Sequence, residues 1–367
     1  MIYYNCHTHI FNLECIPERF ISAPVSRLMS KNRISLGLVR LLDNFFGSEK
    51  DFLSKQATFL KYNTEDWQEL IFERLKKVYH PGTKFVVLTL DMDFMGAGKA
   101  ERNFLTQLAE IKSIRRIHPE TLLPFLSVDP RRNPPEGLLG FVKDHYENHG
   151  FFGIKLYPPL GFFPFDPRLF PVYEYAEKNN IPIITHCNKA GGVYFKGGVL
   201  KEWDYGKRDF HNHDHKGKMN LFRDNLMHPE NYVEVLNRFP GLKICFAHYG
   251  GDVEVLSREN NSWRRIIKDL ILKTGQNGPT YPNLYTDISF ALWNTKLFPV
   301  LKEDCQAPVM EDRILFGTDF YMTSRKKNEE ELRNEFPIFI GPEIFKKTAR
   351  NNIKTFLSSA RYPFNNP

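Results

Sequence analysis

The sequence predicts an α/β fold in one domain spanning residues 1–367, a (β/α)8 TIM barrel. Three observations lead there. Short runs dense in Val, Ile, Leu, Phe and Tyr recur along the chain without strict alternation, as strands buried on both faces read. Helical patterns separate most of these runs, which argues for a parallel sheet. The runs number eight, which is also the number that closes such a barrel. A length of 367 residues is long for an ordinary domain but suits a barrel with insertions.

In chain order, strands are expected at "IYYNCHTH" (2–9), "KFVVLTLDM" (84–92), "LLPFLSVDP" (122–130) and "FFGIKLYP" (151–158). The later four are "IPIITHC" (181–187), "KICFAHY" (243–249), "NLYTDISF" (283–290) and "RILFGTDF" (313–320). Between them, "TEDWQELIFERLKKVYH" puts Trp67, Leu70, Ile71 and Leu75 on one helical face and ends at Pro81-Gly82. "AERNFLTQLAEIKSIRRIH" stops at Pro119. "DPRLFPVYEYAEKNN" offers Asp166 as N-cap and Pro167 at the first helical position. "PENYVEVLNRFPG" and "SWRRIIKDLILKTG" read the same way. Two connections, about 11–48 and 188–227, are too long for ordinary loops. Both follow the C-terminal end of a strand, which in a barrel is the catalytic face, so they are expected to build a pocket wall or lid.

Bulk properties narrow the function. Net charge is +7, but the basic residues are scattered and interleaved with acidic ones, unlike the concentrated stripe of a nucleic-acid binder. A small anionic substrate is the better use of the surplus charge. No leader-like segment and no apolar run long enough for a membrane span is visible. Five cysteines do not suggest a disulfide framework, so reduced thiols and a cytoplasmic location are expected. No nucleic-acid or membrane partner is expected. The insertions are of a kind that make dimer contacts, which leaves a homodimer open.

Four apolar strands end in a histidine or an aspartate. His7 and His9 close the first, His186 the fifth, His248 the sixth and Asp319 the eighth. In a barrel these ends converge on one mouth. His7 and His9 share a face because strand side chains repeat every second residue. A third imidazole and a carboxylate complete a site suited to Zn²⁺ or a similar divalent ion.

On these residues the chain resembles the amidohydrolase superfamily, in its amidohydrolase 2 branch of metal-dependent hydrolases, lactonases and non-oxidative decarboxylases. The resemblance is carried by "HTH" (7–9), "GIKLYPPLGFFPFDP" (153–167), "PIITHC" (182–187), "RFPGLKICFAHYGG" (238–251), "RILFGTDF" (313–320) and "NNIKTFL" (351–357). It implies a distorted barrel in which His7, His9, His186 and Asp319 match metal-ligand positions. His248 matches the histidine that polarises the substrate or handles protons. One divalent ion, zinc by first choice, is implied; a second metal would follow if Lys155 were carboxylated, as a lysine on this strand is in dinuclear relatives. The "GIKL" context resembles the mononuclear branch, where Lys155 stays a cation facing substrate, with Tyr157 lining the same pocket.

Asp319 could touch the metal and also take a proton from its bound water. Asn5, Thr8 and Thr185 are candidates for orienting ligands. His211, His213 and His215 in the second insertion read as a solvated loop, and Arg27, Arg33 and Arg40 in the first as candidate carboxylate grips. Cys187 and Cys245 read as buried fillers. The expected function is hydrolysis of an amide, ester or lactone bond of a small anionic molecule. The alternatives are non-oxidative decarboxylation of a cyclic or aromatic acid, a non-catalytic metal-binding barrel, and a metal-dependent deoxyribonuclease of the related TatD type.

Overall fold

The computed structural model describes residues 2–19, 67–189, 191, 219–276, 278–324 and 326–364. Arg27, Arg33, Arg40, His211, His213 and His215, with most of both insertions, lie outside the described residues. The strands are β1 (Tyr4–Thr8), β2 (Lys84–Leu88), β3 (Leu122–Ser127), β4 (Gly153–Leu156), β5 (Ile183–Thr185), β6 (Ile244–Phe246), β7 (Leu284–Asp287) and β8 (Ile314–Leu315). They form one sheet in sequence order, every neighbouring pair parallel. The ring closes between β8 and β1 through backbone bonds. Cys6 N–H donates to Phe316 O at 3.0 Å and Asp319 N–H donates to His7 O at 2.9 Å. The barrel predicted from alternation is thus the fold.

Helices cover the outside. They are α1 (Gln68–Val78), α2 (Phe104–Ile117), α3 (Gly137–Asn148), α4 (Phe170–Lys178), α5 (Met219–Leu226) and α6 (Tyr232–Arg238), then α7 (Asp252–Val255), α8 (Trp263–Leu272), α9 (Phe298–Gln306), α10 (Glu329–Ile340), α11 (Pro342–Lys346) and α12 (Asn352–Leu357). Asp166 caps a short Pro167–Leu169 turn by accepting from Arg168 N–H, and that turn runs into α4. Ser262 caps α8 in the same way through Arg265 N–H. The expected inner face of α1 needs correction. Ile71, Phe72 and Leu75 are buried, whereas Trp67 is 57% and Leu70 44% exposed. Phe72 replaces Leu70 in the core stripe, and Trp67 is left at the N-cap, where the Arg102 guanidinium covers its ring.

Strand alternation divides the core in two. Phe85, Val87, Ile154, Leu156, Ile244 and Phe246 face the helices, while Val86, Leu88, Leu123, Phe125, Ile184, Cys245 and Leu315 fill the barrel. Ile353, Phe356 and Leu357 of α12 pack with the inner set. Gly153 has no Cβ because one would fall 2.5 Å from both the Phe125 ring and Pro182 O. Among the described residues no helix is long and apolar enough to cross a membrane.

Candidate metal centre

β1 carries His7, and His9 follows its end. Their shared orientation rests on more than a two-residue repeat. The β1–β2 register shifts between Asn5 and Thr8, so that Cys6 and His7 are both buried against the barrel interior. Gly317 makes room on the β8 side; a Cβ there would lie 2.9 Å from His7 Cβ. Asn5 ties the two sides together, accepting from His7 N–H at 3.3 Å and from Thr318 N–H at 3.1 Å. Asp319 follows at φ 57°, a conformation uncommon outside glycine and typical of functional sites.

His7, His9 and Asp319 offer ligand atoms that all lie within 4.8 Å of one another. Asp319 Oδ1 is 3.6 Å from His7 Nε2 and 3.4 Å from His9 Nε2. His9 Nδ1 faces the Leu88 carbonyl at 3.0 Å, and His7 Nδ1 faces Asp287 Oδ2 at 2.9 Å. Both partners only accept, so each Nδ1 carries its ring proton and each Nε2 presents a lone pair.

His186 and His248 form the opposite wall. His248 sits in the turn after β6 at φ 67°, with Tyr249 at φ 50° and Gly250 at φ 85°. The turn packs so tightly on α8 that a Cβ at Gly250 would lie 2.7 Å from Trp263 Cβ. Tyr249 OH anchors it outside by donating to buried Asp304 at 3.0 Å, which also binds Arg264 and Lys268. His248 Nδ1 faces two acceptors, Ser289 O at 3.3 Å and Ser289 Oγ at 2.9 Å, because the Ser289 hydroxyl proton goes to Asp287. His248 therefore also carries its proton on Nδ1. Its bare Nε2 then accepts from His186 Nδ1–H at 3.2 Å. That leaves a lone pair on His186 Nε2, which is buried with no hydrogen-bond partner among the described residues, as is His7 Nε2. His186 is not within the 4.8 Å trio.

Burial pushes His7, His186 and His248 well below the ordinary histidine range, and His9 down to about 3. Lys155 adds to each shift. Neutral imidazoles with outward lone pairs are the ligand form for a divalent metal, so this donor set fits one. A second grouping, His7, His248 and Asp287, is compact too. It fits a metal less well, because there the His7 Nδ1 and both Asp287 oxygens are already spent on hydrogen bonds.

Lys155 lies inside the barrel on β4, fully buried, its Nζ without a hydrogen-bond partner among the described residues. Burial pulls its pKa down to about 8, against the upward pull of Asp287 and Asp319. Tyr157, just beyond β4, stacks on His186 with centroids 4.2 Å apart. Thr8 Oγ1–H donates to Val86 O, and Thr185 accepts from Tyr232 OH. Burial raises the Cys187 and Cys245 thiols well above their usual range, so both stay protonated fillers. Sequence reasoning missed Asp287 and Ser289. The signal was present, since Asp287 closes β7 as Asp319 follows β8.

A parallel barrel with histidines and an aspartate gathered at its C-terminal mouth defines a TIM-barrel enzyme with a candidate metal centre. The chain belongs to the amidohydrolase family, whose model matches residues 115–358. Solved structures of similar fold include 5-carboxyvanillate decarboxylase from Novosphingobium aromaticivorans, complexed with manganese and 4-hydroxy-3-methoxy-5-nitrobenzoic acid (13% identity, TM-score 0.58, covering 97% of this chain and 96% of that one). Another is 2,6-dihydroxybenzoate decarboxylase from Rhizobium (14% identity, TM-score 0.53, 97% and 98% covered). A third is 4-oxalomesaconate hydratase from Rhodopseudomonas palustris (14% identity, TM-score 0.51, 97% and 95% covered). No curated protein matches the sequence.

Proposed function

We propose that this protein is a metal-dependent, non-oxidative decarboxylase of an aromatic or conjugated acid. The observation that carries this reading is the set of rings beside the site histidines. Tyr157 stacks on His186 at 4.2 Å, the Phe11 edge meets His9 at 5.7 Å, and Phe290 meets His248 at 6.0 Å. Such walls suit a flat, unsaturated substrate. The decarboxylases of similar fold favour the same class.

In this reading His7, His9, His186 and Asp319 hold one divalent ion. A His-rich site with one carboxylate accepts zinc, the first choice from sequence, and also manganese, which the carboxyvanillate decarboxylase structure contains. When bound, the ion supplies Lewis-acid orientation of substrate oxygens. Lys155 draws the substrate carboxylate towards an ammonium that has no hydrogen-bond partner among the described residues. Tyr157 and Phe290 hold the ring plane. His248 Nε2, which at rest accepts from His186 Nδ1–H, takes up a proton from water and delivers it to the ring carbon. As the bond to the carboxylate breaks, carbon dioxide leaves and the electron pair stays on that carbon to take the proton.

Hydrolysis is the second reading, and one observation favours it. Asp319 Oδ1 sits against both His7 and His9 Nε2, where a carboxylate could accept the proton of an attacking water. The test is a panel of hydroxybenzoates, their methoxy derivatives and conjugated dicarboxylates beside lactones, esters and amides, with zinc- and manganese-loaded protein. Carbon dioxide release from an acid supports decarboxylation. Cleavage of a lactone, ester or amide with no carbon dioxide from any acid replaces it with hydrolysis.

A further inference from the structure

We infer that Asp287, a carboxylate outside the proposed ligand set, is the positioning residue that fixes the ring proton of two histidines at once, His7 directly and His248 through Ser289. The argument is a donor count. Asp287 Oδ2 accepts from His7 Nδ1–H at 2.9 Å. Its Oδ1 accepts from His248 N–H at 2.9 Å, Ser289 N–H at 3.0 Å and the Ser289 hydroxyl. Every one of these partners donates, and an ionised carboxylate is the side chain that accepts at both oxygens. Because the Ser289 hydroxyl spends its proton on Asp287, its oxygen can only accept from His248 Nδ1. One fully buried carboxylate thus commits both imidazoles to the Nδ1–H form. It also clamps the backbone of the left-handed turn that carries His248. The inference rests on the proposed roles of His7 and His248, but its first measurement needs neither metal nor substrate.

Replacing Asp287 by asparagine turns one acceptor into a donor. If the amide nitrogen faces His7, that ring must move its proton to Nε2, which takes away the lone pair aimed at the metal position. If the amide nitrogen faces the other way, it confronts two backbone N–H groups and a hydroxyl. The second arrangement leaves several donors opposed, so the first prevails.

The experiment is nitrogen NMR of ¹⁵N-histidine-labelled full-length protein, treated with chelator. The His7 and His248 signals are assigned by their loss in His7→Gln and His248→Gln variants. In the wild type both rings are expected as Nδ1–H; an Nε2–H pattern at either overturns the inference, whatever the variants do. In Asp287→Asn, His7 is expected to switch to Nε2–H, and zinc retained after dialysis is expected to fall at least tenfold. Zinc lost while His7 keeps Nδ1–H would make Asp287 a plain ligand and overturn it as well. So would zinc retained with both rings unchanged. Failure of the decarboxylation reading leaves these signals untouched and shows only in the carbon dioxide assay.

Discussion

Two buried polar clusters sit at the same end of the barrel and differ in one respect. After β2 and β3, Arg132 grips Asp91 with Nε at 2.7 Å and Nη2 at 2.8 Å, and reaches Asp93 at 2.7 Å. Arg131 grips Asp129 at 2.8 and 2.6 Å and donates to the carbonyls of Phe94 and Leu160. Across the mouth, His7, His186 and Lys155 are buried like Asp91 and Asp129, yet among the described residues His7 Nε2, His186 Nε2 and Lys155 Nζ have no hydrogen-bond partner. Each buried unsatisfied group costs roughly 1–3 kcal/mol. The first cluster closes on itself and serves as scaffold. The second turns its polar atoms towards the mouth, as the donor set of a ligand site does. Openness, meaning polar atoms not spent within the described protein, separates the buried core of one from the other.

The comparison breaks most visibly through substitution at its two ends. His7→Ala should lower metal content from about one ion per chain to below a tenth while the protein stays folded. Arg132→Ala should do the opposite, keeping the metal but costing about 3–5 kcal/mol, because it strands the buried Asp91 carboxylate. Elemental analysis and urea unfolding read both. Metal retained by His7→Ala, or lost in folded Arg132→Ala, would erase the distinction. Lys155→Met sharpens it. Replacing an ammonium whose burial outweighs its attraction to Asp287 and Asp319 should stabilise chelator-treated protein by about 1–3 kcal/mol. The same change should lower kcat/KM on carboxylate substrates by about 100-fold. A destabilised Lys155→Met would mean that the ammonium is structural and belongs with the closed cluster.

Much of this was legible in the sequence. All eight strands fall within the runs that predict them, although trimmed: the run 151–158 yields only Gly153–Leu156 as strand. Because position along a strand is a one-dimensional property, the strand-end rule singled out His7, His9, His186, His248 and Asp319, of which the fold gathers His7, His9 and Asp319 within 4.8 Å. Asp287 escaped because its role lies in what faces it, namely His7, 280 positions away, and the turn at His248, 39 positions away. Spacing along one strand does not encode such partners. The glycines of "HYGG" announce a turn, but not that His248 and Tyr249 share its left-handed conformation, which Asp287 and Asp304 impose from either side. Substrate is less legible still, since it depends on rings brought together from separate loops.

A last expected effect, seen only as a dependence on pH, concerns the wall behind the open site, where β1 meets β8. Buried Glu329 accepts at Oε1 from Tyr79 OH and, at 2.6 Å, from Thr318 Oγ1–H, while its Oε2 has no partner among the described residues. Asn5 joins the same group by donating to Thr318 Oγ1 at 2.7 Å, so this network backs both His7 and Asp319. Burial, the dominant cause, raises the Glu329 carboxyl from 4.5 to about 7, against the lowering pull of Thr318, Tyr79 and Arg333. A group whose folded pKa lies above its unfolded one binds more protons in the native state. Its stabilisation is complete below pH 4.5 and is lost as pH rises through about 7. The full loss is on the order of 3 kcal/mol. Glu329→Gln imitates the protonated form and should remove that slope. Urea midpoints of chelator-treated wild type and Glu329→Gln should therefore agree near pH 5 and separate by pH 8, with the variant the more stable. Curves that stay parallel from pH 5 to 8 would mean that Glu329 is ionised and satisfied at both, so that the seam is a second closed cluster and openness is confined to the mouth.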